Sequence, residues 1–129
     1  MAAGELPPPP SAATLDFELL SADPGRVVLG LVPQAFHHNP IGIVLGGVCA
    51  AVCDAACACA VLSVLPPGTV HTTQHLDATF VRAVTLRTGP LRAIAEVLHL
   101  GRRTAVAEAR MLDADDRLHV RATATFVLS

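Results

Sequence analysis

Apolar and polar residues alternate along most of this chain, and one stretch breaks the pattern. Thr14–Ser21 sets Leu15, Phe17 and Leu19 against Asp16 and Glu18, which predicts a strand. Ala22-Asp23-Pro24-Gly25 predicts a turn, and Arg26–Val32 a second strand apolar enough to be covered on both faces. Pro33–Leu45 predicts a loop containing His37, His38, Asn39 and Pro40. Gly46–Leu65 then runs for 20 residues without Pro, is built of small apolar residues with many Ala, and carries a single charge, Asp54. That composition predicts a helix, stopped by Pro66, Pro67 and Gly68 and buried nearly all round.

Four alternating segments follow. Val70–Val81 places Leu76, Ala78 and Phe80 opposite His75, Asp77 and Thr79. Leu91–Leu98 places Ala93, Ala95 and Val97 inside, with Arg92 and Glu96 outside. Gly101-Arg102-Arg103 turns the chain into Thr104–Leu112, where Ala105, Ala107, Ala109 and Met111 share a face. After a turn at Asp113–Asp116, Leu118–Leu128 sets Val120, Ala122, Ala124 and Phe126 against His119, Arg121, Thr123 and Thr125. Two strands, one apolar helix and four more strands predict a single α+β domain over residues 14–129. An antiparallel sheet of about six strands would bury its apolar face by wrapping round one long central helix, which is the layout of a hotdog fold. Small residues on both surfaces allow helix and sheet to approach closely. Met1–Ala13, with four consecutive prolines, predicts a disordered or polyproline-like tail.

Composition removes several classes of partner. Nine basic and eleven acidic residues give the 129-residue chain a net charge of −2, no basic run stands out, and Trp and Tyr are absent; nucleic acid is therefore not an expected partner. All four cysteines fall within Cys49–Cys59, and Cys49, Cys53 and Cys57 form one helical stripe. Cysteines one turn apart are poorly placed for a disulfide, and the spacing is not a standard zinc pattern. They are expected to be buried thiols in a reducing, cytoplasmic compartment, with no metal. The N-terminus lacks the basic region of a signal peptide. Gly46–Leu65 is as long as a membrane span, but Asp54 would sit at mid-bilayer and basic flanks are missing, so no membrane association is expected.

The segment HHNPIGIVLGGVCAAVCDAA resembles the phenylacetate-degradation (PaaI-type) hotdog thioesterases, whose motif is N-x-x-G-x-x-H-G-G with an acidic residue nine positions after the His. Asn39, Gly42, Gly46, Gly47 and Asp54 fall on matching positions. TTQHLDATFVRAV resembles the family's next strand through Thr72, Thr73, Leu76, Phe80 and Arg82, and GRRTAVAEARMLDADDRLHVRATATFVL resembles its closing hairpin and last strand. Leu45 stands where the family usually has His, and Ala83 where it usually has Pro.

The resemblance implies hydrolysis of an acyl-CoA thioester, with CoA entering as part of the substrate and no cofactor. The residues suit that chemistry. Amides at a helix N-terminus point at incoming negative charge, so Gly46 and Gly47 are candidates for an oxyanion hole. Asp54 can act as general base on water or as a nucleophile forming a mixed anhydride. Asn39 can orient the thioester or the water, and Thr73 matches the position of a Ser or Thr that holds the water. Leu45 borders the site, and Arg82, Arg102 and Arg103 are candidates for the CoA phosphates. Gly46 and Asp54 are about 12 Å apart along a helix, too far for one thioester carbon to meet both in one subunit. The spacing therefore predicts a homodimer, or a homotetramer built on it, with composite sites. Strict alternation puts Thr73 on the face opposite Leu76, which a bulge or a site at the dimer seam would resolve.

Each residue also has a plainer reading. Asp54 can be a satisfied buried carboxylate, Gly46-Gly47 a packing contact, and Asn39, His37 and His38 loop residues. Thr73, His75 and His119 can be ordinary polar strand positions, and the arginines solvated strand ends. With Leu45 in place of His, a non-catalytic hotdog module that binds acyl-CoA or a protein partner is the alternative. A dehydratase is a weaker one, because no His lies within the helix motif.

Overall fold

The computed structural model describes residues 9–129. Its elements are α1 (Pro10–Leu15), β1 (Phe17–Asp23), β2 (Arg26–Leu31), α2 (Gly46–Leu62), β3 (His71–Phe80), β4 (Leu91–Leu100), β5 (Thr104–Leu112) and β6 (Leu118–Leu128). The strands form one sheet in the order β1-β2-β4-β5-β6-β3, with every neighbouring pair antiparallel. The sheet curls around α2, which is the expected hotdog layout.

The small-residue stripes explain how closely helix and sheet approach. Val52, Cys53, Ala56, Cys57 and Ala60 on α2 are buried with Ala93 and Ala95 of β4, Ala105, Ala107 and Ala109 of β5, and Ala122 and Ala124 of β6. The large buried side chains Phe126, Leu31, Leu91 and Met111 fill the space around them. Burial of α2 is one-sided. Gly47 is exposed, and Ala51, Asp54, Ala55 and Ala58 on the side away from the sheet are only partly covered in the single chain. This corrects the expectation of burial all round: composition reports that a face is apolar, and the number of layers packed on it is decided elsewhere.

Several boundaries also differ from the sequence pattern, strand ends by one to three residues. Of the expected tail, residues 1–8 lie outside the described residues, and Pro10–Ala13 belongs to helix α1, with Pro10 at a first-turn position that needs no N–H. Thr14 and Leu15 end that helix instead of opening a strand, because Asp16 takes a left-handed conformation (φ 59°) and its N–H returns to Ala12 O. Helix α2 stops at Leu62, three residues early. Ser63 Oγ donates to Ala60 O at 2.6 Å and accepts from Gly25 N at 2.8 Å, tying the helix end to the β1–β2 turn.

Candidate active site

Helix α2 begins without a side-chain cap. Leu45 holds the N-cap position in an extended conformation (φ −55°, ψ 130°) and is 52% exposed. The N–H groups of Val48 and Cys49 bond to Leu45 O, whereas no described residue accepts from Gly46 N or Gly47 N. These are two of the four amides a helix start leaves unpaired. A Cβ added at Gly46 would come within 3.2 Å of the Phe80 ring, whereas one at Gly47 would meet only Leu45, at 3.9 Å. Close packing therefore accounts for glycine at 46, and packing within this chain does not account for it at 47.

The loop before the helix is built on Asn39. Its Oδ1 accepts from Ile41 N at 3.0 Å and Ile43 N at 3.1 Å, so the group it can offer a substrate is its side-chain NH2. Asn39, Gly46 and Arg82 line one cavity of about 320 Å³ with Cys49, Phe80 and Val84. Cys49 is not a nucleophile there at neutral pH, because burial pushes its thiol up to about 11; Cys53 and Cys57 are pushed to about 12 for the same reason.

Asp54 lies two turns further along α2 and faces a second cavity, of about 400 Å³, lined also by Leu15, Ala58, Leu62 and His71. Thr73 Oγ1 donates to Asp54 Oδ1 at 2.8 Å. A bulge makes this contact possible. Register shifts between Thr73 and His75, which pair with Phe126 and Thr125, so Gln74 is the extra residue. That insertion reverses the alternation and puts Thr73 on the same face as Leu76, towards the helix. With its proton committed to Asp54, Thr73 can offer a water only its oxygen lone pairs.

The two cavities share no lining residue. The fold joins Asp54 to Thr73 and gathers Asn39, Leu45, Gly46, Gly47 and Arg82 at the start of α2, while keeping the two groups apart. Arg102 and Arg103 occupy the β4–β5 turn, and Arg102 lines a hollow with Leu65 and Pro66 beyond the far end of α2. Along a 17-residue helix that is about 25 Å from Arg82's end, so the three arginines do not converge within one chain.

The histidines divide unexpectedly. His75 is exposed on its strand, as alternation predicts. His37 is a structural tie: Gln34 N donates to its Nδ1 at 2.9 Å, which leaves Nε2–H to donate to Leu15 O at 2.6 Å. His71, which the sequence pattern did not single out, borders the Asp54 cavity and donates from Nε2 to Ala58 O at 3.0 Å. His119 is the larger surprise. Its phase along β6 is as predicted, yet it is only 2% exposed, because the Asp113 turn and the chain after β3 close over it.

Asp113 is 1% exposed and fully engaged. Oδ1 accepts from Asp115 N and Arg117 N, and Oδ2 from Arg117 Nε and His119 Nε2, all within 3.0 Å. The His119 bond, helped by the backbone and Arg117 donors and opposed by burial, holds its carboxyl well below the ordinary carboxylate range. A folded-state value below the unfolded one means the stabilisation is fully present above about pH 4 and is lost as pH falls through the acid range. Asp113→Asn should therefore lower the urea midpoint at pH 7 and flatten its decline on acidification. Equal acid slopes for variant and wild type would contradict this account.

A single long helix held in a curled six-stranded antiparallel sheet defines a hotdog fold. The sequence profile of the thioesterase superfamily matches residues 41–120, and the chain belongs to that superfamily. It is 25% identical to a 1,4-dihydroxy-2-naphthoyl-CoA hydrolase from Listeria monocytogenes, over 81% of this chain and 84% of that protein. A putative thioesterase from Ralstonia eutropha JMP134, a phenylacetic acid degradation-related protein, superposes with a TM-score of 0.88 at 30% identity, covering 98% of this chain and 96% of that one. Zebra fish thioesterase superfamily member 2 superposes with a TM-score of 0.84 at 25% identity, over 94% and 88% of the two chains. The resemblance to the PaaI-type enzymes therefore holds. No helix among the described residues is long and apolar enough to cross a membrane.

Proposed function

We propose that this thioester hydrolase acts on acyl-CoA at two composite sites of a homodimer, each pairing the Gly46/Gly47 amides of one subunit with Asp54 of the other. The observation that carries the reading is the separation on α2: Gly46 and the Thr73-oriented Asp54 carboxylate are about 12 Å apart along the helix and line different cavities. A second copy of the chain supplies what each half-site lacks. The half-covered side of α2 and the ten-residue edge strand β3, paired on one side only by β6, offer surface for such a partner. A tetramer would add a second interface to the same dimer.

In this mechanism the thioester carbonyl oxygen accepts from Gly46 N–H and Gly47 N–H, with the Asn39 side-chain amide positioned to orient the acyl group. Asp54, held by Thr73, takes a proton from water as the water oxygen adds to the carbonyl carbon. The C–S bond then breaks, and the proton passes to the departing CoA thiolate. If Asp54 attacks directly, the C–S bond breaks, CoA leaves as the thiolate and is protonated from water, and a second water cleaves the resulting mixed anhydride to the free acid and the Asp54 carboxylate. Arg82, which lines the Gly46 cavity, is the candidate within that half-site for a CoA phosphate, and Arg102 and Arg103 could serve only from another subunit's position. Four free thiols fit a reducing, cytoplasmic setting.

The test is CoA release from a panel of aryl- and acyl-CoA thioesters, read with a thiol reagent, alongside the solution mass. Turnover by a dimer or tetramer is expected, whereas a fully active monomer would overturn the composite site. Leu45 carries a second reading, because it brings no hydrogen-bonding group to the mouth of the oxyanion hole. Leu45→His should raise kcat if that position limits turnover. Tight CoA-ester binding without turnover, in wild type and variant alike, would favour a binding module instead.

A further inference from the structure

We propose that His119 is a positioning residue that holds the Val81–Val84 wall of the Gly46 cavity and thereby sets thioester affinity. The inference rests on the reading that the thioester binds in that cavity. Val81, Arg82, Ala83 and Val84 all line it. Among the described residues, His119 makes hydrogen-bond contacts to three of this segment's four residues. Its carbonyl accepts from Val81 N at 2.8 Å and Arg82 N at 3.2 Å, and its Nδ1 lies 3.2 Å from Ala83 O. Val84 O in turn accepts from Val44 N at 2.8 Å, one residue before the cap of α2. The ring is anchored from behind, with Nε2 2.9 Å from Asp113 Oδ2. Asp113 is itself held by Arg117, while Arg92 donates to the Asp113 carbonyl and pairs with Asp116. A continuous line of hydrogen bonds thus runs from the β5–β6 turn through His119 and the cavity wall to the start of the catalytic helix.

Both ring nitrogens face an acceptor, Nδ1 towards Ala83 O and Nε2 towards Asp113 Oδ2. This permits the two contacts to be separated by substitution. A glutamine amide nitrogen occupies the place of Nε2, and an asparagine amide nitrogen that of Nδ1. His119→Gln should keep the Asp113 bond and release Ala83, whereas His119→Asn should keep Ala83 and release Asp113. Arg82→Gln removes the cation that the wall carries and leaves the wall in place.

The measurements are KM and kcat for CoA-thioester hydrolysis, with melting temperature alongside. His119→Gln is expected to raise KM about five- to tenfold, the weight of one lost hydrogen bond, with kcat nearly unchanged. His119→Asn should keep KM within twofold of wild type while losing more thermal stability, because it removes one of the four donors to a buried carboxylate. A purely structural His119 would give no such crossing of KM and stability. Equal KM in the two variants, or KM tracking melting temperature, overturns the proposal. A wild-type protein that turns over no CoA thioester removes the cavity reading and this inference with it. Normal wild-type turnover, with Arg82→Gln raising KM and both His119 variants leaving it unchanged, removes this inference alone.

Discussion

Asp54→Asn lowers kcat for thioester hydrolysis by about 10²- to 10⁴-fold, the contribution of a positioned proton-transfer group or more. Asparagine is close to isosteric, and its Oδ1 can still accept from Thr73 Oγ1, which donates to Asp54 Oδ1 at 2.8 Å. Melting temperature should therefore change little. The variant separates chemistry from folding, and unchanged turnover would remove Asp54 from the mechanism. Thr73→Val tests the hold from the other side: it leaves the carboxylate free to rotate and should cost less than the loss of Asp54 itself. Label found on Asp54 after single turnover in ¹⁸O-water would identify the nucleophilic route, because only a mixed anhydride cleaved by water at the Asp54 carbonyl leaves label on the enzyme.

Gly46→Pro is expected to have the next largest effect. It deletes one N–H at the start of α2 while keeping a backbone that proline favours. The position is the first of the helix, and Leu45 before it already has the extended conformation a following proline demands. Loss of one oxyanion donor should lower kcat about 10²- to 10³-fold. Proline also brings a Cβ towards the Phe80 ring, so Gly46→Ala is the control: it crowds the same 3.2 Å contact and keeps the N–H. Phe80 is 54% exposed and can give way. A Pro variant no slower than the Ala variant would exclude the Gly46 amide.

The two variants together examine the composite site. Each should be nearly inactive alone. Mixed after unfolding and refolding, half of the dimers would contain one of each chain, and each of those would have one intact site. Activity should recover to roughly a quarter of wild type, as two-fold symmetry requires. No recovery would mean that both groups act within one subunit, against the roughly 12 Å between them.

The strands and α2 could be read from the chain because their signals are local. Alternation at period two places Ala107, Ala109, Ala122 and Ala124 on one face whatever the rest of the molecule does, and a long small-residue run without Pro has few choices but helix. Asp54 stood out because a charge in such a run needs a reason, and the 12 Å spacing to Gly46 needs only helical rise. Position 10–13 was less legible, since four prolines read alike as a tail or as the first turn of a short helix.

What the chain's own pattern could not set was everything dependent on register or on who covers whom. Gln74 is unremarkable in sequence, yet as the extra residue opposite β6 it turns Thr73 inward to Asp54. His119 occupies the outer face that its phase predicts and is nevertheless buried, because Asp113 and Ala83, 6 and 36 residues away, close on it. Alternation assigns a side to each residue and carries no information about layers added from distant segments. Sequence alone therefore determined the six strands, α2, the hotdog order and the helical spacing between Gly46 and Asp54. Tertiary structure decided the carboxylate's partner, the one-sided cover of α2 and the buried histidine behind the cavity wall, because each depends on contacts between segments whose pairing no local pattern encodes.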